Sequence, residues 1–464
     1  MSSNNTIEVA AQHALIGNVE TSKQSERTTH PDAQWFPKAK LGLFFHWGIS
    51  SVLGQSDLSW GMIRQPKEFR RMSFEQYGWE NFDVVNVSPA KYWEQAKSFR
   101  PDRYDPDRWL AAAGEAGVRY AILTTRHHDG FALWPSKYGD FNTKNYAGGV
   151  DLVGKFVAAC RKNGIKAGLY YSPPDWRWDR EFMSFSRDPG TGPLDWHLRS
   201  CILRARTPEE EEKNRIEFRN YLRGQLTELL GNYGKIDILW LDGCFPEFRN
   251  VTPETVGTVK NQTLSLEEIR ALQPGIIVNR RGHLRGDFST PECVFPKTRP
   301  EGWWEFIETI NCGGWGYRRH ELYKPAGYLL KCLGESCARG GNFVANVSPD
   351  PHGEMPEVYY KRLKQVAGWM KENRNVVLDA VPGEWPAKSN VPVLRRDDTV
   401  YALVNVSQEG TATLNLDHPP CSVVLRTDGR PVPYRYEGGV LSFELEDDRR
   451  SLLTDVVEIK LGNA

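Results

Sequence analysis

Asp242 closes an apolar run, Lys235-Ile-Asp-Ile-Leu-Trp-Leu-Asp-Gly243. A short apolar run bounded by glycine reads as a buried strand. A carboxylate at its end is conspicuous, because Asp is rarely buried unless paired. It has two readings. Asp-Gly is a common turn pair, so Asp242 caps a turn. Alternatively it sits at the C-terminal end of a barrel strand, where reacting side chains converge. Three imidazoles stand in similar places. His46 ends Leu41-Gly-Leu-Phe-Phe-His-Trp-Gly48, and His127 and His128 follow the apolar run Tyr120 to Arg126. A polar segment, Arg281 to Glu292, follows the run Ile276 to Arg280. One strand-end histidine is usually structural. Three, with a carboxylate and several tryptophans on one face of a barrel, point to a shared pocket.

His46, His127, His128 and Asp242 together offer the ligand types that zinc takes. Against this, His127 and His128 are adjacent, and neighbours on a strand point to opposite faces. Both meet one ion only if the segment leaves the strand. We therefore expect no metal and no other cofactor. Neutral imidazoles donating hydrogen bonds to substrate hydroxyls are the better account.

The elements that must place these groups alternate. After a polar lead-in, strands are expected at Leu41 to Gly48, Tyr120 to Arg126, Ile165 to Ser172, within Lys235 to Gly243, at Ile276 to Arg280 and at Gly341 to Val347. Helices are expected from Asp105 to Ala116, Asp151 to Lys162, Glu209 to Tyr233, Leu264 to Leu272, Pro325 to Arg339 and Pro356 to Glu372. Asp105 suits a helix N-cap and Pro106 the first helical position. Alternation of this kind signals βαβ units, and the strand number approaches the ~8 of a (β/α)8 barrel. A doubly wound nucleotide-binding sheet is disfavoured, since no GxGxxG follows the first strand. After residue 378 short strands separated by turn signals such as Asp428-Gly429 read as an antiparallel β-sandwich. The expected division is a lead-in over 1–30, an α/β (β/α)8-like domain over 31–377 and the sandwich over 378–464.

The chain has 464 residues with 59 basic and 59 acidic side chains, so no global charge draws it to nucleic acid or an anionic membrane. Met1 to Lys38 shows no apolar signal core, and no run reaches the ~18 residues of a membrane span. Compartment and homo-oligomerisation are left open. The eight cysteines follow no zinc or disulfide spacing. Aromatic residues are abundant, with 16 Trp, 18 Tyr and 20 Phe. They fill cores, and they also pack on the C–H faces of sugars.

The ordered motifs carry a resemblance. They are Phe45-His46-Trp47-Gly48, Thr124-Thr-Arg-His-His-Asp-Gly-Phe-Ala-Leu-Trp134, Gly168-Leu-Tyr-Tyr-Ser172, Leu239-Trp-Leu-Asp-Gly243, Trp304-Glu305, Trp315-Gly-Tyr317 and Asn342-Phe-Val-Ala-Asn-Val-Ser-Pro349. Over about residues 32–376 the chain resembles the α-L-fucosidases of glycoside hydrolase family 29. That family has a (β/α)8-like barrel and a C-terminal β-sandwich. The resemblance implies a retaining exo-glycosidase acting on fucosylated oligosaccharides or glycoconjugates. The same scaffold acting on another L-sugar is the alternative.

Asp242 matches the family's nucleophile, and Glu292 is the choice for acid/base. Asp287 and Glu305 are rivals for that role, and Glu247 stands further out. The resemblance further implies that His46, Trp60, His127, His128, Tyr170, Trp240, Arg281 and Trp315 bind substrate. Trp315 matches an aromatic that packs on the apolar face and C5 methyl of fucose. Two positions depart from the pattern. Ser59-Trp60 stands where many relatives have Glu-Trp, and Arg280 stands where an acidic residue is frequent.

Overall fold

The computed structural model describes residues 27–55, 57–62, 87–178, 180–181, 206–242, 263–281, 286–296, 298–312 and 314–462. Eight parallel strands make one sheet: β1 (Leu41–Phe45), β2 (Tyr120–Arg126), β3 (Lys166–Tyr171), β4 (Ile238–Leu241), β5 (Ile277–Val278), β6 (Phe288–Ser289), β7 (Trp303–Thr309) and β8 (Asn342–Val347). Their order is β5-β4-β3-β2-β1-β8-β7-β6. The two end strands meet through a parallel bridge between Asn279 and Phe288, so the sheet closes into a barrel. The ring is an α/β (β/α)8-like barrel, as its alternating elements led us to expect.

Alternation along each strand sorts the side chains. In β1, Phe44 points into the barrel, while Leu43 and Phe45 face the surrounding helices. Tyr120, Ile122, Tyr170, Ile238 and Trp240 join Phe44 inside. Both faces of the ring are thus apolar, which is why its strands read as continuous hydrophobic runs.

Among the described residues six longer helices cover the ring: α1 (Pro106–Glu115), α2 (Leu152–Lys162), α3 (Pro208–Gly231), α4 (Leu266–Leu272), α5 (Ala326–Ala338) and α6 (Glu357–Leu378). Their starts are locally encoded. The Asp105 side chain accepts from Arg108 N at the head of α1. Thr207 with Glu210, and Ser265 with Glu268, form capping boxes on α3 and α4. No helix among the described residues is long and apolar enough to cross a membrane.

The far end of the barrel is plugged. Phe36 packs on Phe288 at 4.7 Å and on Tyr120 at 5.7 Å. Thr28 N donates to the Asp287 carboxylate, and the Arg27 guanidinium lies over Trp303. The last stretch of the expected lead-in is therefore bonded to the barrel floor. That also fixes Asp287. It is wholly buried just before β6 and is paired with Arg270 at 3.0 Å.

Beyond α6 only strands and one short turn of 3-10 helix follow. They are β9 (Val381–Pro382), β10 (Val393–Arg396), β11 (Thr399–Val404), β12 (Ala412–Asn415), β13 (Pro420–Leu425), β14 (Tyr434–Glu437), β15 (Val440–Phe443) and β16 (Asp455–Leu461). They form a five-stranded and a three-stranded antiparallel sheet. Val391, Ala402, Leu414, Leu441 and Ile459 fill the space between the sheets. The other side of the larger sheet, with Tyr401, Leu403 and Val456, belongs to the same core as the barrel's helices. Trp369 of α6 donates its indole N–H to Thr454 O at 2.6 Å across this junction.

Candidate active site

The C-terminal ends of the parallel strands bring the singled-out side chains together. Asp242 directly follows β4. Its carboxylate accepts from the Tyr170 hydroxyl at 2.9 Å and from an Arg281 terminal nitrogen at 3.4 Å. The other terminal nitrogen of Arg281 donates to Glu292 at 2.5 Å. One guanidinium thus spans both carboxyls. It is itself held by the Thr290 hydroxyl and carbonyl, each at 2.9 Å, and lies 4.7 Å over the Trp240 ring. Burial raises the Glu292 carboxyl above the ordinary range, and Arg281 opposes this without cancelling it. Glu292 can therefore carry a proton. Asp242, with a hydroxyl donor and a cation on its two oxygens, is set up as the ionised partner.

His46, His127 and His128 surround Asp242. The expectation that His127 and His128 point apart is overturned. β2 ends at Arg126, and past it the chain leaves strand geometry. The two rings lie 4.2 Å apart, and ligand atoms of both fall within 4.8 Å of one another and of Asp242. Zinc holds its ligands at about 2.0–2.2 Å in a tetrahedron, which needs tighter spacing than this limit alone requires. The protein spends the inner nitrogens on positioning. His46 Nδ1 bonds Asn346 Oδ1 at 2.6 Å, His127 Nδ1 bonds Ser59 Oγ at 2.6 Å and His128 Nδ1 bonds Ser172 Oγ at 2.5 Å.

The hydrogen-bond network assigns two tautomers. Asn346 donates its amide N–H to Trp315 O, so its oxygen faces His46 and accepts from Nδ1–H. Ser172 donates to Pro174 O, so it accepts from His128 Nδ1–H. Nε2 of both rings is left as an acceptor toward the pocket. With these tautomers a hydroxyl placed at either Nε2 would donate to the imidazole, the reverse of the direction expected from the sequence. Burial pushes His46 and His128 down to about 4 and His127 well below its usual value. All three are neutral at neutral pH.

The aromatic residues divide into floor and walls. Tyr170 and Trp240 are buried in the barrel interior and stack on each other at 5.5 Å. Trp240 spends its indole N–H on Glu305 at 3.0 Å, so it supports Asp242 and Arg281 from below. Trp60 and Trp315 are half-buried and form walls. Trp60 meets His128 edge-on at 5.5 Å, and Trp315 lies 5.1 Å from His46. Among the rivals for acid/base, Glu305 is sealed inside the barrel and Asp287 lies at its far end. Glu247 lies outside the described residues, as does most of the Arg180–Glu210 insertion. Ser172 and Asn346 escaped the sequence reading as site residues, and Ser59 was noted only as a departure from the family pattern, because short neutral side chains carry no signal until a partner is seen.

Glu305 has a measurable effect of its own. Its carboxylate accepts from Tyr120 and Trp240, and burial pushes it from 4.5 up to about 7. The folded state therefore holds this proton more tightly than the unfolded chain. The stability it contributes is complete below about pH 4.5 and is lost as pH rises through 7, a swing on the order of 3 kcal/mol. We expect Glu305→Gln to flatten the decline of Tm between about pH 5 and about pH 8. Parallel melting curves that keep the parent slope would refute this.

Comparison with known proteins agrees with the geometry. The sequence profile described as α-L-fucosidase matches residues 7–375. The mouse tissue α-L-fucosidase is 26% identical over 396 residues, covering 81% of this chain and 78% of that one. The α-L-fucosidase of Branchiostoma floridae is 25% identical over 430 residues, covering 88% and 86%. Among solved structures, α-L-fucosidase isoenzyme 1 from Paenibacillus thiaminolyticus superposes with a TM-score of 0.70 at 26% identity, covering 93% of this chain and 99% of that one. The Thermotoga maritima α-fucosidase gives a TM-score of 0.66 at 25% identity, covering 93% and 97%. A profile spanning most of the chain, over a barrel and sandwich of the same kind, places it: this chain belongs to the α-L-fucosidase family.

Proposed function

We propose that this protein is an exo-acting, retaining α-L-fucosidase that releases terminal L-fucose from fucosylated oligosaccharides or glycoconjugates by double displacement. The observation that carries the assignment of roles is the Arg281 bridge, with one buried cation contacting both Asp242 and Glu292. In the first step an Asp242 oxygen attacks C1, and the bond from C1 to the leaving oxygen breaks. Glu292 gives its proton to that oxygen. In the second step Glu292, now a carboxylate, takes a proton from water. The water oxygen attacks C1, and the ester to Asp242 breaks. Arg281 and Tyr170 stabilise Asp242 as the leaving carboxylate. His46, His127 and His128 bond the sugar hydroxyls, while Trp60 and Trp315 cover its apolar surface.

The deciding experiment is a panel of aryl α-L-glycosides with NMR detection of the first-formed product. We expect fucoside to be the preferred substrate and α-L-fucose to appear before mutarotation. Initial β-L-fucose would exclude the retaining scheme. A preferred L-sugar other than fucose would select the alternative substrate.

Ser59→Ala tests the histidine scaffold. It removes the Nδ1 partner of His127, and one lost buried hydrogen bond is worth roughly 1 kcal/mol. The expected result is a fall of about fivefold to tenfold in kcat/KM for aryl fucoside, with Tm nearly unchanged. An unaltered kcat/KM would show that the Ser59 contact does not position His127 for the reaction.

A further inference from the structure

The loop that carries Trp315 is held from both sides by buried polar groups. On one side the Asp57 carboxylate is only 4% exposed. A single oxygen of it accepts from Trp315 N at 2.7 Å and from Gly316 N at 3.1 Å. On the other side Trp315 O accepts from Ser348 Oγ at 2.5 Å and from Asn346 Nδ2 at 3.1 Å. The fit is close. A Cβ on Gly314 would come within 2.7 Å of the Asp57 carboxyl, and Gly314 has φ +120. The residue after Asp57, Leu58, has φ +50, an uncommon conformation for a leucine that its surroundings must enforce.

The same short segment reaches two more walls. Ser59 bonds His127, and Trp60 packs on His128 and on Trp176. Asp57 and Leu58 are both buried, so they bear on the pocket through what they hold. Their contacts fix the backbone of the wall that carries Trp315, whose indole is set on a loop.

We propose that Asp57 is a positioning residue that sets the discrimination at C5 of the sugar. It does so by locking the Trp315 backbone, and hence the height and tilt of the indole. This rests on the reading of Trp315 as the surface that meets the C5 methyl. A rigid indole at contact distance accepts a methyl and penalises a bulkier, hydrated hydroxymethyl at the same position. An indole on a freed loop retreats, and the penalty falls.

The test compares aryl α-L-fucoside with aryl α-L-galactoside, which differ only by a hydroxyl on C6. It uses the parent enzyme, Asp57→Ala, the isosteric Asp57→Asn and Trp315→Ala, with kcat and KM determined separately and Tm measured for each. For Asp57→Ala we expect KM for fucoside to rise about tenfold, with kcat within about threefold. The ratio of kcat/KM values, fucoside over galactoside, should drop at least about tenfold. Asp57→Asn keeps the accepting oxygen and should lie between parent and alanine variant. Trp315→Ala should collapse the ratio at least as far. A collapsed ratio in Trp315→Ala beside a parental ratio in every folded Asp57 variant overturns the proposal alone. A parental ratio in Trp315→Ala overturns the reading of Trp315, and the proposal with it. A purely structural role for Asp57 would lower Tm and the active fraction while leaving KM and the ratio where they were. Should the alanine variant not fold, Asp57→Leu, of similar shape and without an accepting oxygen, takes its place, and a parental ratio in it rejects the idea.

Discussion

Asp242→Ala is expected to cleave aryl α-L-fucosides about 10⁴-fold more slowly than the parent enzyme. The group removed is the one whose oxygens take the Tyr170 hydroxyl and the Arg281 guanidinium. Its loss removes one acceptor from each of these donors and abolishes the covalent route, so little survives beyond binding and general acid catalysis. Azide separates a lost nucleophile from a damaged fold. Its small anion fits the space vacated by the carboxylate and attacks C1 from the same side. The rescued reaction should therefore yield β-L-fucosyl azide, of inverted configuration, and restore turnover by at least about a hundredfold. Parental activity in Asp242→Ala, or rescue giving the α-azide, contradicts the role proposed for Asp242.

Glu292→Ala is expected to behave differently, because its task depends on the leaving group. With a poor leaving group the loss should be about 10²–10⁴-fold, the range of general acid catalysis. With a dinitrophenyl fucoside, which departs without a proton, bond cleavage should be nearly as fast as in the parent. The glycosyl-enzyme then accumulates, since no base activates water. Azide should attack that intermediate and give the α-azide, of retained configuration. The pH profile adds a second reading. Burial raises the Glu292 carboxyl, so the parent loses kcat/KM on the alkaline side as that proton leaves. The limb should vanish for the dinitrophenyl substrate in Glu292→Ala. Equal losses with good and poor leaving groups would move the acid/base role to another carboxyl.

The barrel was legible in the sequence because most of its strands are apolar on both faces. β7 was not read as a strand, and the reason is particular. Trp303–Thr309 carries Glu305 and Glu308, which interrupt the apolar signal. In the fold each has its own solution. Glu305 takes two donors inside the ring, and Glu308 pairs with Lys324 at 2.8 Å and accepts from Tyr328. β6 is only two residues long, too short for any periodic signal. α6 runs on to Leu378, past the expected end at Glu372, because Asn373, Val376 and Val377 are buried there.

The site was legible through its charged and aromatic members. Asp242, Glu292, Arg281 and the three histidines converge as their strand-end positions suggested. The exact aim of the histidines was hidden, since it depends on where β2 stops and on three neutral partners. Trp240 was read as facing the sugar. Alternation does put it on the inner side of β4, but Tyr170 and Arg281 cover it.

The stopper formed by Phe36, Phe288 and Trp303 has a bearing on how glycans are handled. With that end filled by packed side chains, nothing can pass through the ring, so a substrate arrives and its products depart on the side of the C-terminal strand ends.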